Sequence, residues 1–310
     1  MNLAEQEGKL WFDGELVAQP DAKIHVLTHS LHYAMAVFEG VRAYQTDDGR
    51  TAIFRLDEHT ERLLNSAKIF QLAVRFDKAT LMQAQKKVVQ ASGLSSAYIR
   101  PLIWIGAEKL GIATDDNTIH TAVAAWQWGA YLGEAGITGG VRVKTSSYTH
   151  HHPNVAMCKA KAASNYPVSI LANKEARRGG YDEAILMDTQ GYVCQGSGEN
   201  LFLVKDGVLH TPDLAGGALD GITRRTVMEF AKDLGITVVE RRITRDEFYL
   251  ADEVFMTGTA AEITPIREYD DRVIGAGGRG VITERLQTLY FDVVHGRNSQ
   301  YQHWLSYVDE

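Results

Sequence analysis

Five glycines fall between Gly129 and Gly140, in a dozen residues without apolar periodicity, and this break separates two differently patterned stretches of chain. A chain of 310 residues interrupted in this way is expected to fold as two domains. The expected boundaries are a small α+β domain over 1–130, an interdomain loop over 131–140 and a larger, barrel-like α/β domain over 141–310.

In the first stretch, Lys9 to Phe12 and Glu15 to Ala18 flank Asp13-Gly14, a dipeptide that tolerates the positive φ of a tight hairpin. A strand over 52–55 leads into a helix with Leu63, Leu64, Ala67 and Phe70 on its apolar face. Asp77 is placed to cap a second helix that Gly93 stops, with Leu81, Ala84, Val88 and Val89 inward. Apolar strands follow over 97–105 and 121–128. Beyond the break, short strands are expected over 141–146, 183–187, 200–204, 208–210, 237–240 and 253–256. Helices are expected after Gly221-Ile222-Thr223, with Val227, Phe230 and Ala231 inward, and over 281–294. Another helix ends before Gly179-Gly180. Pro167 would cost it ~3 kcal/mol anywhere past the first turn, so its regular part is expected to begin near Asn165. Many short strands among few helices argue for an α/β fold other than a doubly wound parallel sheet.

An apolar content of 45% with 23% charged residues can build a core. The net charge is -7, and Lys and Arg are scattered, which argues against a nucleic-acid or anionic-membrane surface. No run reaches the ~18–20 uninterrupted apolar residues of a membrane span, and Met1 to Asp13 lacks a basic segment followed by an apolar one, so a cytoplasmic location is expected. Two cysteines, Cys158 and Cys194, cannot build a disulfide framework or a Cys-rich zinc site.

Some motifs invite chemistry that their context does not support. Adjacent side chains of His150-His151-His152 would point to opposite faces of a strand and have no regularly spaced partner, so no metal site is expected. Gly196-Ser197-Gly198 lacks the spacing and following helix of a phosphate loop and reads as a turn. Cys158 has none of the context of a reactive thiol and reads as a small buried residue.

Other segments are jointly specific: His32-Tyr33 with Val37 to Tyr44, Glu58 to Leu63, Cys158 to Tyr166, Gly196 to Phe202, Leu219 to Arg224, and Phe255 to Glu262. Together they resemble the branched-chain amino acid aminotransferases, fold-type IV enzymes dependent on pyridoxal 5'-phosphate (PLP). The resemblance runs from about Trp11 to Leu305. It implies transfer of the amino group of leucine, isoleucine or valine to 2-oxoglutarate, with the larger domain binding PLP. By the spacing Lys-Ala-x-x-Asn-Tyr, Lys161 would carry the cofactor as a Schiff base and then shuttle a proton, with Lys159 the neighbouring rival. Tyr166 matches the tyrosine on the phenolic oxygen of the cofactor. Arg62, Thr259 and the helix start at Gly221, Ile222 and Thr223, with Leu219 before it, match the phosphate site, where unpaired N–H groups and the helix dipole favour an anion.

The resemblance also implies the substrate pocket. Phe38, Gly40, Tyr98, Arg100, Trp128 and Tyr131 match its walls, and Arg100 would pair with the γ-carboxylate of glutamate. Gly258, Thr259, Ala260 and Ala261 match the turn that receives the substrate α-carboxylate. Tyr33, Leu110 and Ile112 match positions that reach a neighbouring subunit's pocket, which implies a dimer at least, with trimers of dimers common among bacterial relatives of this length.

One position departs from the pattern. Most members have a glutamate that pairs with the protonated ring nitrogen where this chain has Gln195, and a neutral amide cannot stabilise that charge as a carboxylate does. Either catalysis proceeds with a weaker electron sink, or Glu199 substitutes. The same fold and cofactor also serve D-amino acid transaminase, (R)-amine transaminase and aminodeoxychorismate lyase. A PLP-binding protein without catalysis, supported only by Gln195, is the reading from another class.

Overall fold

A computed structural model of the protein describes Leu3, residues 7–129 and residues 133–310. The chain forms two compact units: Met1–Trp128 with Ala160–Ser164 and Asp292–Glu310, and Gly129–Lys159 with Asn165–Phe291.

The first unit contains β1 (Lys9–Phe12), β2 (Glu15–Ala18), α1 (His29–Tyr33), β3 (Ala36–Phe38), β4 (Val41–Gln45), β5 (Thr51–Phe54), α2 (Leu56–Ile69), α3 (Lys78–Ser92), β6 (Ala97–Ile105) and β7 (Ile119–Trp126). A strand at Leu305–Tyr307, β17 in chain order, completes an eight-stranded sheet in the order β17-β5-β4-β6-β7-β1-β2, with β3 beside β6. All these pairings are antiparallel. The Asp13-Gly14 hairpin forms with both residues at positive φ, 49° and 115°. Asp77 caps α3 by accepting from Thr80 N, and Gly93 ends it in the left-handed conformation. Of the expected inner faces, Leu63 and Ala67 of α2, and Leu81, Ala84, Val88 and Val89 of α3, are buried with Val37, Val41, Ile53, Ile99 and Val123 of the sheet, whereas Leu64 and Phe70 are only partly buried against them.

The second unit holds α4 (Glu134–Gly139), β8 (Val141–Thr149), α5 (Tyr166–Arg178), β9 (Glu183–Met187), β10 (Val193–Gly196), β11 (Asn200–Lys205), β12 (Val208–Pro212), α6 (Ile222–Asp233), β13 (Val238–Arg241), α7 (Arg245–Tyr249), β14 (Glu253–Gly258), β15 (Glu262–Tyr269), β16 (Arg272–Val273) and most of α8 (Val281–Val294). Its sheet runs β10-β9-β8-β15-β14-β11-β12-β13, with β16 beside β15. The pairs β8/β9, β8/β15 and β12/β13 are parallel and the rest antiparallel, so the sheet is mixed rather than doubly wound. Val143, Ile185, Leu203, Met256 and Ile266 form its core with Phe248 and Tyr269. Pro167 sits in the first turn of α5, where the missing N–H costs nothing, so the helix starts at Tyr166. Among the described residues, no helix is long and apolar enough to cross a membrane.

The units are not contiguous in sequence, unlike the expected domain over 141–310. Residues 160–164 pack with the first unit because Ala162 bridges Val37, and residues 292–310 because β17 pairs with β5. Long-range pairing of this kind leaves no local signal. Within the expected loop, Glu134–Gly139 is helical.

Candidate active site

In the first unit, Lys161 lies between two buried alanines, Ala160 and Ala162, so alternation turns its side chain away from the core they enter. Its backbone is held at both ends: Lys161 N donates to Ser66 Oγ at 3.0 Å, and Phe38 N donates to Lys161 O at 3.0 Å. The amine lies 5.2 Å from the centroid of the Phe38 ring. Lys159 belongs to the other unit, and its Nζ donates to Leu214 O at 3.0 Å.

The strand β3 runs on into Glu39, whose side chain is fully buried. Arg62 Nε and Nη2 donate to the two Glu39 oxygens at 2.6 and 2.9 Å, and His59 Nδ1 lies 2.7 Å from Oε2. His59 and Arg62 are three residues apart on α2 and therefore share a face. Burial pushes the Glu39 carboxyl upward, but Arg62 and the His59 hydrogen bond outweigh it and hold the group far below the ordinary carboxylate range. Burial pulls the His59 imidazole down more than Glu39 lifts it, and His59 Nδ1–H donates to a carboxylate that can only accept. The result is a guanidinium fixed in plane by a buried carboxylate.

Tyr98 and Arg100 share one face of β6, and in the register with β7 they stand opposite Trp126 and Ala124. Tyr98 lies 5.3 Å from Trp126 and 5.1 Å from Trp128 between ring centroids. Arg100 lies over the Phe38 ring, 4.5 Å from its centroid, and Nη2 donates to Tyr98 Oη at 3.4 Å. Gly40 is required here, because a Cβ at that position would stand 1.9 Å from Tyr98 Oη. Phe38, Gly40, Tyr98, Arg100, Trp128 and Lys161 are thus linked within one unit. Tyr33, Leu110 and Ile112 are exposed, Ile112 almost wholly, and so stand apart from that group. Tyr33 stacks on His29 at 4.4 Å, and His29 Nε2 meets Gly111 O at 2.8 Å, which ties α1 to the loop carrying Leu110 and Ile112. Tyr131 lies outside the described residues.

The second unit gathers mainly backbone groups. Leu219 N donates to Gln195 Oε1 at 3.1 Å, and Asn200 Nδ2 donates to Leu219 O at 2.8 Å. A backbone N–H can only donate, so the oxygen of the Gln195 amide is the atom held and Nε2 is its other end. Gly221 then starts α6 with no side-chain cap, and a Cβ there would stand 2.0 Å from Asn200 Oδ1. Ile222 and Thr223 form the first turn of α6. The Glu199 carboxylate accepts from Gly198 N at 2.9 Å and Gly196 N donates to Glu199 O at 2.8 Å, so Gly196-Ser197-Gly198 is a closed turn. Gly258 packs against that turn and against Ala261; Thr259 and Ala260 connect them. A groove of about 640 Å³ is lined by Tyr166, Ser169, Asn173, Arg177, Ser197 and Gly198.

The chain matches the model of the family described as amino-transferase class IV over residues 36–269. The chain belongs to the class IV aminotransferases. It is 50% identical to a branched-chain-amino-acid aminotransferase of Pseudomonas aeruginosa over 308 residues, covering 99% of this chain and 100% of that one. A relative of the same name from Escherichia coli K12 is 45% identical over 302 residues, 97% of each chain. Among solved structures, the Escherichia coli branched-chain amino acid aminotransferase superposes with a TM-score of 0.95 at 44% identity, covering 98% of this chain and 100% of that one. The T.th. branched-chain amino acid aminotransferase with pyridoxamine 5'-phosphate gives 0.94 at 49%, covering 98% and 99%.

The donor set suits the phosphorylated pyridine aldehyde that this family uses. Each unit supplies part of it: the first a primary amine on a pinned backbone and the part-buried Arg62, the second a helix start without a side-chain cap and Thr257, whose buried Oγ1 has no partner among the described residues. Glu39, His59, Trp126 and Thr257 were not assigned from the sequence. A lone carboxylate among apolar strand residues, and the i, i+3 spacing of His59 and Arg62, were the legible signs of the first pair. Trp126 depends on strand register, which left no sign. His150 is buried and pushed down to about 4 by burial and the neighbouring His151. No cluster of metal-binding side chains occurs among the described residues. Burial pushes both the Cys158 and Cys194 thiols up, away from reactivity.

Proposed function

We propose that the protein is a PLP-dependent aminotransferase that moves the amino group of L-leucine, L-isoleucine or L-valine to 2-oxoglutarate, yielding branched-chain 2-oxo acids and L-glutamate. The observation that carries this reading is full-length identity of 45–50% to proteins of that name. When bound, PLP supplies a ring that draws off charge from the substrate Cα.

Lys161 would hold the cofactor and, once displaced by the substrate amine, carry the Cα proton on Nζ to the cofactor carbon. Arg62, the N–H groups at Gly221, Ile222 and Thr223, and the Thr259 hydroxyl would hold the phosphate. The Tyr166 hydroxyl would donate to the phenolic oxygen. Gln195, its Oε1 already taken by Leu219 N–H, would turn Nε2 toward the ring nitrogen, and a donor there disfavours a proton on that nitrogen. Phe38, Gly40, Tyr98, Trp128 and Tyr131 would enclose an aliphatic side chain, worth ~25 cal/mol per Å² buried. Arg100 would neutralise the γ-carboxylate of the acidic substrate, and the turn from Gly258 to Ala261 would receive the α-carboxylate. The exposed Tyr33, Leu110 and Ile112 are disposed to complete the pocket of a second copy, in a dimer or a trimer of dimers. A cytoplasmic location accords with this metabolism.

The test is a stopped-flow comparison of the PLP-loaded protein with L-leucine, D-alanine and (R)-1-phenylethylamine. The expected outcome is fast loss of the yellow absorbance with L-leucine. Bleaching by D-alanine alone would overturn the reading in favour of a D-amino acid transaminase, and bleaching by the amine alone would favour an (R)-amine transaminase.

A further inference from the structure

Two buried N–H groups share one face of the sheet in the first unit and lack an acceptor among the described residues: Arg100 Nε and the indole Nε1 of Trp126. Neither nitrogen can accept a hydrogen bond, so each is satisfied only by an acceptor brought to it. A buried donor left unpaired is costly, and two on one wall point to an acceptor that completes the structure. The Arg100 guanidinium carbon lies 5.9 Å from the Trp126 ring centroid, close enough for one small group to meet both. Tyr98 stands between them, opposite Trp126 in the register, with its hydroxyl accepting from Arg100 Nη2.

We propose that Trp126 is a specificity residue for the acidic substrate, its Nε1–H donating to one oxygen of the distal carboxylate while Arg100 Nε donates to the other. A carboxylate offers acceptors in two directions and brings the negative charge that Arg100 needs in an aromatic enclosure. A branched aliphatic side chain supplies neither, so the indole N–H serves one of the two substrate classes and only the indole ring serves both. The inference rests on the aminotransferase reading.

The experiment is Trp126→Phe, which keeps an aromatic ring against Tyr98 and removes the donor. Calorimetric binding of glutarate and of 4-methylpentanoate to the PLP-loaded protein is measured alongside KM for 2-oxoglutarate and for 4-methyl-2-oxopentanoate. The dicarboxylate constants are expected to weaken about ten- to hundredfold, as for a lost charge-assisted hydrogen bond, while the aliphatic constants stay within about twofold. Unchanged glutarate binding, or equal weakening of both acids, overturns the assignment and leaves the aminotransferase reading standing if leucine is still transaminated. A wild-type protein that binds neither acid and bleaches with no amino acid removes both.

Discussion

The candidate site residues of the two units handle charge by opposite means. The first relies on side chains: a buried carboxylate clamps Arg62, and Arg100 is enclosed by Phe38, Tyr98 and Trp126. The second relies on the main chain at the start of α6, which Gly221 opens without a side-chain cap, while the N–H groups of Leu219, Gly196 and Gly198 are spent in bracing Gln195 and Glu199. Side-chain charge is strong but must be desolvated and braced, whereas backbone dipoles come with the fold and only need small residues around them. Arg62 therefore has a counter-ion hidden behind it, and the start of α6 has a glycine where a Cβ would meet Asn200.

Removing Lys161 should have the largest effect. Lys161→Ala is expected to lose the yellow, borohydride-sensitive species and on the order of a thousandfold or more in turnover, with the fold intact by circular dichroism. Retained colour and turnover would transfer the role to Lys159. Next comes the counter-ion. Glu39→Gln leaves the Arg62 charge unbalanced in a buried place and should cost about 3–5 kcal/mol in urea unfolding. The Glu39 carboxyl is held below its unfolded value, so its contribution is complete above pH ~4.3 and is lost as the pH falls through and below that point. The variant should lack this acid-side slope; equal slopes would show that the pair is not the stabilising element.

The dipole side predicts smaller losses. Gly221→Ala puts a methyl group 2.0 Å from Asn200 Oδ1 and should dislodge Asn200 from Leu219. Cofactor affinity, read by fluorescence titration, is expected to fall roughly tenfold for a loss of about one charge-assisted hydrogen bond. Unaltered affinity would remove the start of α6 from the phosphate site. Smallest is a gain: Gln195→Glu restores a carboxylate able to stabilise a protonated ring nitrogen, and the amino-acid half-reaction should speed up about fivefold. A rate that stays the same or drops would mean the amide is no handicap.

Local physics made much of this readable in advance. Asp77 and Gly93 bounded α3, Pro167 set the start of α5, and Val227, Phe230 and Ala231 all proved buried in α6. Periodicity and capping act over a few residues, so they survive in a single sequence. The brace on Arg62 and the N–H pair of Arg100 and Trp126 could not be seen that way, because each depends on which strand lies beside which. Glu39 reaches Arg62 only after β3 pairs with β6 and α2 packs on the sheet. The same reasoning explains the interrupted units: a bridge between Val37 and Ala162 has no sequence signature at a separation of more than a hundred residues.

The chain crosses between the units at 128/129, 159/160, 164/165 and 291/292, and two of those crossings bracket the five residues that carry Lys161. The order of synthesis gains a meaning from this. Phe54 waits for Leu305, about 250 residues later, before its edge of the sheet is paired, a delay of roughly 12 to 50 seconds at ribosomal speeds. The segment that carries Lys161 bridges to Val37 while the border of that sheet is still open. A nascent first unit is therefore a half-closed clasp, with the β5 edge unpaired until its final strand arrives.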